Sequence, residues 1–178
     1  MKRFLFIVAL ILASTLSTLA QTILGIKVGE SYVEAKKILE KRYGYKLGET
    51  NGNLALCNFE VGDIPFQYGV LYFQWSGGTA KFYKAEFQDW TTSISDTETL
   101  KSKRDYLVKM LKLKYALFES KNKEGFKCSE FLGEKVDGVT IHGNVTLHRG
   151  RGNDEKERLY LILTYEPIAD FINEASDL

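Results

Sequence analysis

The sequence predicts an α+β fold made of two tandem units, each one helix followed by an antiparallel β-meander of about four strands. Two observations carry this prediction. A capping-box pattern that opens a helical stretch occurs twice, at residues 31–34 and 95–98. After each helical stretch, apolar and polar residues alternate with the period of two that strands show, and turn signals containing Gly or Asn separate the strands.

The first helix is predicted to begin after Ser31 and to end at Tyr43. Ser31 and Glu34 have the capping-box spacing, and Gly44 supplies the residue type at which helices commonly end. The side chains that recur at helical spacing, and that we expect to pack on the sheet, are Tyr32, Ala35, Ile38, Leu39 and Tyr43.

The strands of the first unit follow this helix. Asn51-Gly52 is a hairpin signal, because both residue types tolerate the positive φ angles of a tight turn. The predicted strands are residues 45–49, 54–61, 66–75 and 79–87.

The second unit repeats this order. Its helix is marked by Leu100, Leu107, Leu111 and Tyr115 at helical spacing. Its predicted strands are residues 115–120, 126–132, 139–149 and 159–165. Pro167 ends the last strand, and residues 168–175 are predicted to form a short C-terminal helix.

The two cysteines occupy matching positions, because Cys57 and Cys128 each lie in the second strand of a unit. In an exported chain this spacing suggests a Cys57–Cys128 disulfide closing a loop of about 70 residues, worth about 3–4 kcal/mol. The alternative is two buried free thiols, since cysteine is often a small core residue.

The amino terminus is typical of a cleavable secretory signal peptide. Lys2 and Arg3 precede an apolar stretch at residues 4–12, and Thr18 and Ala20 fit the small-residue positions of a cleavage site. The sequence therefore predicts a periplasmic or secreted protein with three parts: a signal peptide at residues 1–20, a first unit at 21–90 and a second unit at 91–178. No cysteine lies near the cleavage site, so no lipid anchor is expected.

Charge and composition narrow the choice of partner. Residues 1–20 hold two of the 24 Lys and Arg residues and none of the 23 Asp and Glu residues, which leaves 22 basic against 23 acidic side chains. A nearly neutral surface gives no electrostatic reason to expect nucleic acid or an anionic membrane as a partner. With only 2 Pro and 13% aromatic residues, the chain is expected to fold compactly.

Two motifs suggest a resemblance to known proteins. Residues 25–31 form a Gly-x-x-x-Gly-x-Ser start, and residues 39–44 form a Leu-x-x-x-Tyr-Gly helix end. In both motifs the chain resembles uncharacterised secreted proteins of Bacteroides-type bacteria, and in the first motif it also resembles small bacterial envelope-assembly lipoproteins. The helix-plus-four-strand unit is similar to the tandem modules of the beta-lactamase inhibitor protein family. The resemblance implies a fold and an extracytoplasmic location, and it assigns no catalytic residue.

No metal or catalytic motif is apparent. His142 and His148 are the only histidines, and six residues of extended strand would separate them by about 20 Å. Zinc–ligand bonds are about 2 Å long, so one ion cannot bridge them. Cys128 is predicted on an apolar face and the histidines on a polar face, which disfavours a Cys/His pair. We therefore expect no cofactor and no metal.

The most aromatic stretch, residues 66–75, is the candidate for a binding surface. Phe66, Tyr68, Val70 and Tyr72 alternate with Leu71, Phe73 and Trp75, so one side of this strand is expected to pack on a helix. The other side forms an exposed aromatic platform, unless the second unit buries the strand on both sides. The residues predicted for this platform are Tyr68, Tyr72, Trp75, Tyr83 and Trp90.

The sequence therefore predicts a noncatalytic exported protein that binds a partner through this aromatic surface. A partner protein is the first choice, and a glycan is the second. The alternative is a periplasmic or secreted enzyme of the hydrolase class, whose site is assembled from residues scattered along the chain.

Overall fold

The computed structural model describes residues 22–91, 97–152 and 154–169. Strands account for 59% of the structure and helices for 21%, so the fold is mainly β. The signal peptide predicted at residues 1–20 lies outside the described residues, as does most of the helix predicted at 168–175. The two residues of that helix that are described, Ile168 and Ala169, form a short strand.

Two α-helices, one 3₁₀-helix and eleven strands are described. The helices are α1 (Tyr32–Tyr43), the 3₁₀-helix (Gly44–Lys46) and α2 (Thr97–Lys112). The strands are β1 (Thr22–Ile23), β2 (Ile26–Lys27), β3 (Leu47–Thr50), β4 (Asn53–Val61), β5 (Ile64–Ser76), β6 (Thr79–Trp90), β7 (Ala116–Lys121), β8 (Lys127–Val136), β9 (Val139–Arg151), β10 (Glu157–Tyr165) and β11 (Ile168–Ala169).

Nine of these strands form one antiparallel sheet. Eight follow the order β3-β4-β5-β6-β10-β9-β8-β7, and β11 pairs with β9. β1 and β2 form a separate two-stranded hairpin. The chain after this hairpin is fixed to the sheet by two backbone hydrogen bonds of 2.8 Å, from Gly29 N to Phe82 O and from Phe82 N to Glu30 O.

The predicted α+β fold of two tandem helix-plus-meander units is wrong. The last strands of the two predicted meanders, β6 and β10, pair with each other from Ala85–Tyr165 to Trp90–Tyr160, so all the long strands share one sheet. Two separate meanders would each expose a long unpaired edge at these strands, and their pairing removes both edges. Local alternation indicates which side chains face a core, but it does not indicate which distant strand lies alongside.

The first helix and its caps are confirmed. The Ser31 Oγ accepts a hydrogen bond of 3.3 Å from the Glu34 backbone N, and Gly44 ends the helix with a φ of 54°. Ala35 and Leu39 are fully buried against the sheet. The predicted turn that follows is also confirmed, because Asn51 and Gly52 have φ angles of 48° and 75°.

The second helix, α2, is confirmed over Thr97–Lys112, while the predicted capping residues 95 and 96 lie outside the described residues. Leu100, Leu107 and Leu111 are buried, as predicted, whereas Tyr115, which was predicted on the same helix face, lies beyond the end of the helix. Arg104 is also buried on this face, and its Nη2 lies 2.5 Å from the Ser129 Oγ of β8. The Nη1 and Nη2 atoms of this buried guanidinium donate hydrogen bonds to Asp105 Oδ1 and Ser129 Oγ, which offsets part of the cost of burying its charge.

A continuous row of aromatic rings crosses the helix-covered side of the sheet. Neighbouring ring centroids lie 5.2 to 6.1 Å apart, and the row crosses the β6–β10 boundary where Phe87 contacts Tyr165. We call this row the aromatic ladder; its members are Phe66, Phe59, Phe87, Tyr165, Phe131 and Tyr115.

Two glycines make room for the aromatic ladder. A Cβ atom on Gly69 of β5 would lie 2.6 Å from Phe59 Cζ and 2.8 Å from Phe87 Cδ1. A Cβ atom on Gly143 of β9 would collide with Phe131 Cζ and with the backbone oxygen of Thr164. The absence of a side chain at these two positions therefore lets the rings lie flat over their neighbouring strands.

We predict that Gly143→Ala destabilises the protein, because the added methyl group overlaps both a ring and a backbone atom. Overpacking of this kind typically costs about 1–3 kcal/mol. The measurement is the midpoint of urea-induced unfolding. Gly48→Ala is the matched control, since a Cβ atom on this β3 glycine has no atom within 4 Å. Equal midpoints for the two variants would contradict the role assigned to Gly143.

Candidate functional site

The two faces of the sheet differ in chemistry. α1 and α2 pack on one face, where Leu71, Phe87 and Leu161 are fully buried. The alternate residues point to the opposite face, on which neither described helix packs, and we call it the helix-free face. Many of its side chains are polar or aromatic and half-buried, so the face combines a rigid backbone with accessible side chains.

Strand register places the helix-free side chains in rows. One row contains Tyr68, Gln88, Ile162 and Thr146 on four successive strands. The next row along the strands contains Val70, Glu86, Thr164 and Asn144. Because neighbouring strands are about 4.8 Å apart, the side chains of one row are close enough to contact a single ligand surface.

Four of the five predicted platform residues lie on the helix-free face. Tyr68 and Tyr72 come from β5, and Tyr83 and Trp90 come from β6. All four side chains are half-buried, so β5 and β6 are neither fully exposed nor fully covered on this side of the sheet. Alternation predicted that Tyr68 and Tyr72 share one side of β5. It did not place Tyr83 and Trp90, which are seven positions apart, on a common side of β6, and it did not predict how deeply the four side chains are buried.

The fifth predicted residue, Trp75, does not belong to this face. It alternates with Phe73, whose ring contacts Tyr32 of α1 at a centroid distance of 5.0 Å, so Trp75 is on the helix-covered side. It lies near the β5–β6 turn and is 72% exposed, beyond the reach of the helix. The sequence had already grouped Trp75 with Leu71 and Phe73 on one side of the strand.

Phe66 also departs from the predicted alternation. It was grouped with Tyr68, but its ring contacts Phe59 and Phe87, and the Nζ of Lys103 in α2 lies 4.5 Å from its centroid. The neighbouring strand β4 is irregular here, because Asn58 has a φ of 49°. Phe66 pairs with Phe59 directly beyond this irregular residue, and both rings lie on the helix-covered side.

A β-bulge concentrates side chains around Tyr72. The β5–β6 register shifts between Tyr72 and Phe73, so that Tyr83 is the extra residue of β6 and lies beside Lys84, which pairs with Tyr72. In a bulge, two residues of one strand oppose one residue of the other. Both Tyr83 and Lys84 therefore accompany Tyr72 on the helix-free face, and the Lys84 Nζ lies 5.7 Å from the Tyr72 ring centroid.

The charges near Tyr72 are mixed. Burial raises the pKa of the Tyr72 phenol, and the Glu86 carboxylate, Tyr68 and Tyr83 raise it further. The phenol is consequently a neutral hydrogen-bond donor at physiological pH. Lys84 Nζ lies 3.3 Å from Glu166 Oε1, and Gln88 Nε2 donates a 2.6 Å hydrogen bond to Glu86 Oε1.

The second half of the chain extends the platform in a way the sequence did not reveal. Trp90 contacts Tyr160 of β10 at a centroid distance of 6.2 Å, and Tyr160 stacks on His148 of β9 at 5.7 Å. Trp90 and Tyr160 become neighbours through the β6–β10 pairing, and Tyr160 and His148 through the β9–β10 pairing. The available signal was the alternation of Tyr160 and Ile162 with the buried leucines of β10.

His148 takes part in this aromatic row and also contacts Glu124, with 3.4 Å between its Nδ1 and Glu124 Oε1. The backbone N of Arg149 donates a 2.7 Å hydrogen bond to Glu124 Oε2, and this bond lowers the pKa of the Glu124 carboxyl. Within residues 22–91, 97–152 and 154–169, no group of three or more His, Cys, Asp or Glu side chains could hold a metal ion.

A small polar groove lies where β5 begins and β6 ends, and it is lined by Asn58, Glu60, Gln67 and Asp89 among others. Two of these groups are already engaged. Lys103 Nζ of α2 lies 2.5 Å from Asp89 Oδ2 and also contacts the Pro65 carbonyl, and Gln67 Nε2 donates to the Trp90 carbonyl. These contacts fix α2 to the sheet, which gives the groove a structural role.

The candidate disulfide is not formed. Cys57 and Cys128 are both free; Cys57 is exposed and Cys128 is half-buried. Cys57 pairs with Tyr68 and Cys128 pairs with Thr146, the two end members of the row described above that runs across β5, β6, β10 and β9. Five strand spacings separate them, about 24 Å, whereas a disulfide requires Cα atoms about 4.4–6.8 Å apart. The matching positions that suggested a bridge place the two thiols near opposite edges of one sheet.

We predict two free thiols per chain in a thiol titration under denaturing, non-reducing conditions, because the sheet holds the cysteines apart. In the folded protein the exposed Cys57 is expected to be modified before Cys128. Cys57→Ser and Cys128→Ser are the controls, and each should remove one thiol. A titration that finds none would contradict the arrangement of strands described above.

No protein-family model, curated protein or solved structure matches this chain. The resemblances drawn from residues 25–31 and 39–44 therefore stay predictions. Neither α1 nor α2, the two helices described, is long and apolar enough to cross a membrane.

Proposed function

We propose that this chain is an exported, noncatalytic protein that binds a partner protein on the helix-free face of its sheet. The observation that carries the proposal is the placement of Tyr68, Tyr72, Tyr83 and Trp90 together on that face. Tyr160 and His148 continue the same surface onto the neighbouring strands.

The side-chain chemistry supports a protein partner. Tyr and Trp combine a large apolar ring with a polar atom, and they are enriched among the residues that dominate protein–protein binding energy. The charges around them are of both signs, with Lys84 beside Glu86 and Glu166. Such a surface suits a partner that presents mixed polar and apolar groups.

The geometry of the sheet also supports binding. These aromatic residues lie on long paired strands, so little backbone ordering is required when a partner binds. From β5 to β9 the aromatic residues span three strand spacings, about 14 Å, and from Tyr83 to Trp90 they span about 24 Å along β6. Standard interfaces bury about 800 Å² on each partner. The aromatic residues would thus form the centre of an interface and the polar rows its rim.

We predict that Tyr72→Ala combined with Tyr83→Ala weakens capture of the partner at least about tenfold, because hot-spot truncations commonly cost more than 1.4 kcal/mol. The measurement is affinity capture from an extract of the cell envelope, followed by quantification of every retained species and a binding titration with the purified partner.

The matched control is Tyr106→Ala. Tyr106 lies on α2, on the other side of the sheet, and is 49% exposed. Its removal should leave capture unchanged. Equal capture by all three proteins would contradict the proposal. A species that is lost from periodate-treated extract but retained from protease-treated extract would identify a glycan instead of a protein.

A further inference from the structure

A cavity of about 300 Å³ lies on the helix-covered side, away from the proposed binding face. α2 forms one wall, and the β1–β2 hairpin together with the turn between β4 and β5 forms another. β9 and β10 supply the floor through Ile141, Leu163 and Tyr165. The volume is at the lower end of the range of about 300–1,000 Å³ that is usual for small-molecule sites.

The cavity is apolar inside and open at one side. Ile23, Ile141 and Leu163 are at least 95% buried, whereas Tyr106 and Met110 are 49% and 41% exposed. The exposed pair therefore marks the rim through which a molecule can enter. The two charged lining residues, Asp63 and Lys114, are also solvent-exposed and have opposite signs, so the site has no preference for a charged ligand.

Two phenol groups distinguish this cavity from a simple packing gap. Tyr115 and Tyr165 both line it, and each ring packs against Phe131, at 5.3 and 5.2 Å. Burial raises the pKa of both phenols, so both are protonated at physiological pH and can donate a hydrogen bond.

Neither phenol has a hydrogen-bond partner among the described residues. Tyr115 and Tyr165 both line the cavity, so their hydroxyl groups are the hydrogen-bond donors that these walls offer to a bound molecule. A donor without a partner is costly in an apolar site, so the occupant that fits best supplies an acceptor.

We propose that this cavity binds a small, uncharged, largely apolar molecule that carries a carbonyl oxygen. The apolar walls would hold its aromatic or alkyl part, and Tyr115 and Tyr165 would donate to the oxygen. The site is independent of the helix-free face, because its lining residues lie on the other side of the sheet.

The test uses butyrophenone and butylbenzene, which share a phenyl ring and a four-carbon chain and differ in one carbonyl oxygen. Dissociation constants are measured on the full chain by ligand-observed NMR titration. Tyr115→Phe combined with Tyr165→Phe is expected to weaken butyrophenone binding about tenfold and to change butylbenzene binding less than about twofold. These substitutions keep both rings, so the aromatic ladder is preserved.

Two further variants locate the site. Tyr160→Phe removes one hydroxyl from the helix-free face and should change neither dissociation constant. Met110→Trp places a larger side chain at the rim and should weaken both ligands. The proposal is overturned if butyrophenone does not bind, if the double Phe variant affects both ligands equally, or if Met110→Trp affects neither. None of these outcomes bears on partner capture by the helix-free face.

Discussion

Close packing of aromatic rings over two glycines is the constraint on which the rest of this structure depends. Gly69 and Gly143 remove the side chains that would hold Phe59, Phe87 and Phe131 away from the sheet. The rings then form one layer that passes from β6 to β10, and this layer gives the two halves of the chain a common core. Without it, the pairing of β6 with β10 would depend on backbone hydrogen bonds, which contribute modestly to net stability, and on contacts of the helix-free face such as Trp90 with Tyr160.

The same packing separates the chemistry of the two faces. The large rings and the two helices occupy one side, so the polar and amphipathic alternate residues are left on the other. The helix-covered side encloses the small cavity near Tyr165. The ring of Tyr165 packs in the aromatic ladder, and its hydroxyl group is a proposed hydrogen-bond donor to a molecule in the cavity. The helix-free side presents Tyr68, Tyr72 and Trp90 on a surface that the β6–β10 pairing makes continuous. The proposed partner-binding surface and the packed core therefore lie on opposite sides of one sheet.

Features decided by neighbouring residues could be predicted from the sequence. The capping of α1 by Ser31 and the Asn51-Gly52 turn each depend on a few adjacent residues, and both are present. Features decided by distant residues could not. Alternation placed Tyr68 and Tyr72 correctly, but the addition of Tyr160 and His148 to the same surface depends on β10 lying beside β6. The two cysteines are a clear example, because their equivalent positions in the chain suggested proximity and the sheet holds them about 24 Å apart.

The pairing of β6 with β10 also has a consequence for how the chain reaches its native state. The paired residues are between 70 and 80 positions apart. One edge of β6 therefore stays unpaired during folding until β10 has been synthesised and has reached it. Contacts of such separation slow folding, and an exposed edge in the meantime invites pairing with other molecules. The charged side chains of Glu86 and Asp89 along this strand oppose such pairing, since a charge must be desolvated before a foreign strand can add. These charges on β6 therefore disfavour aggregation of the folding chain before β10 pairs with β6.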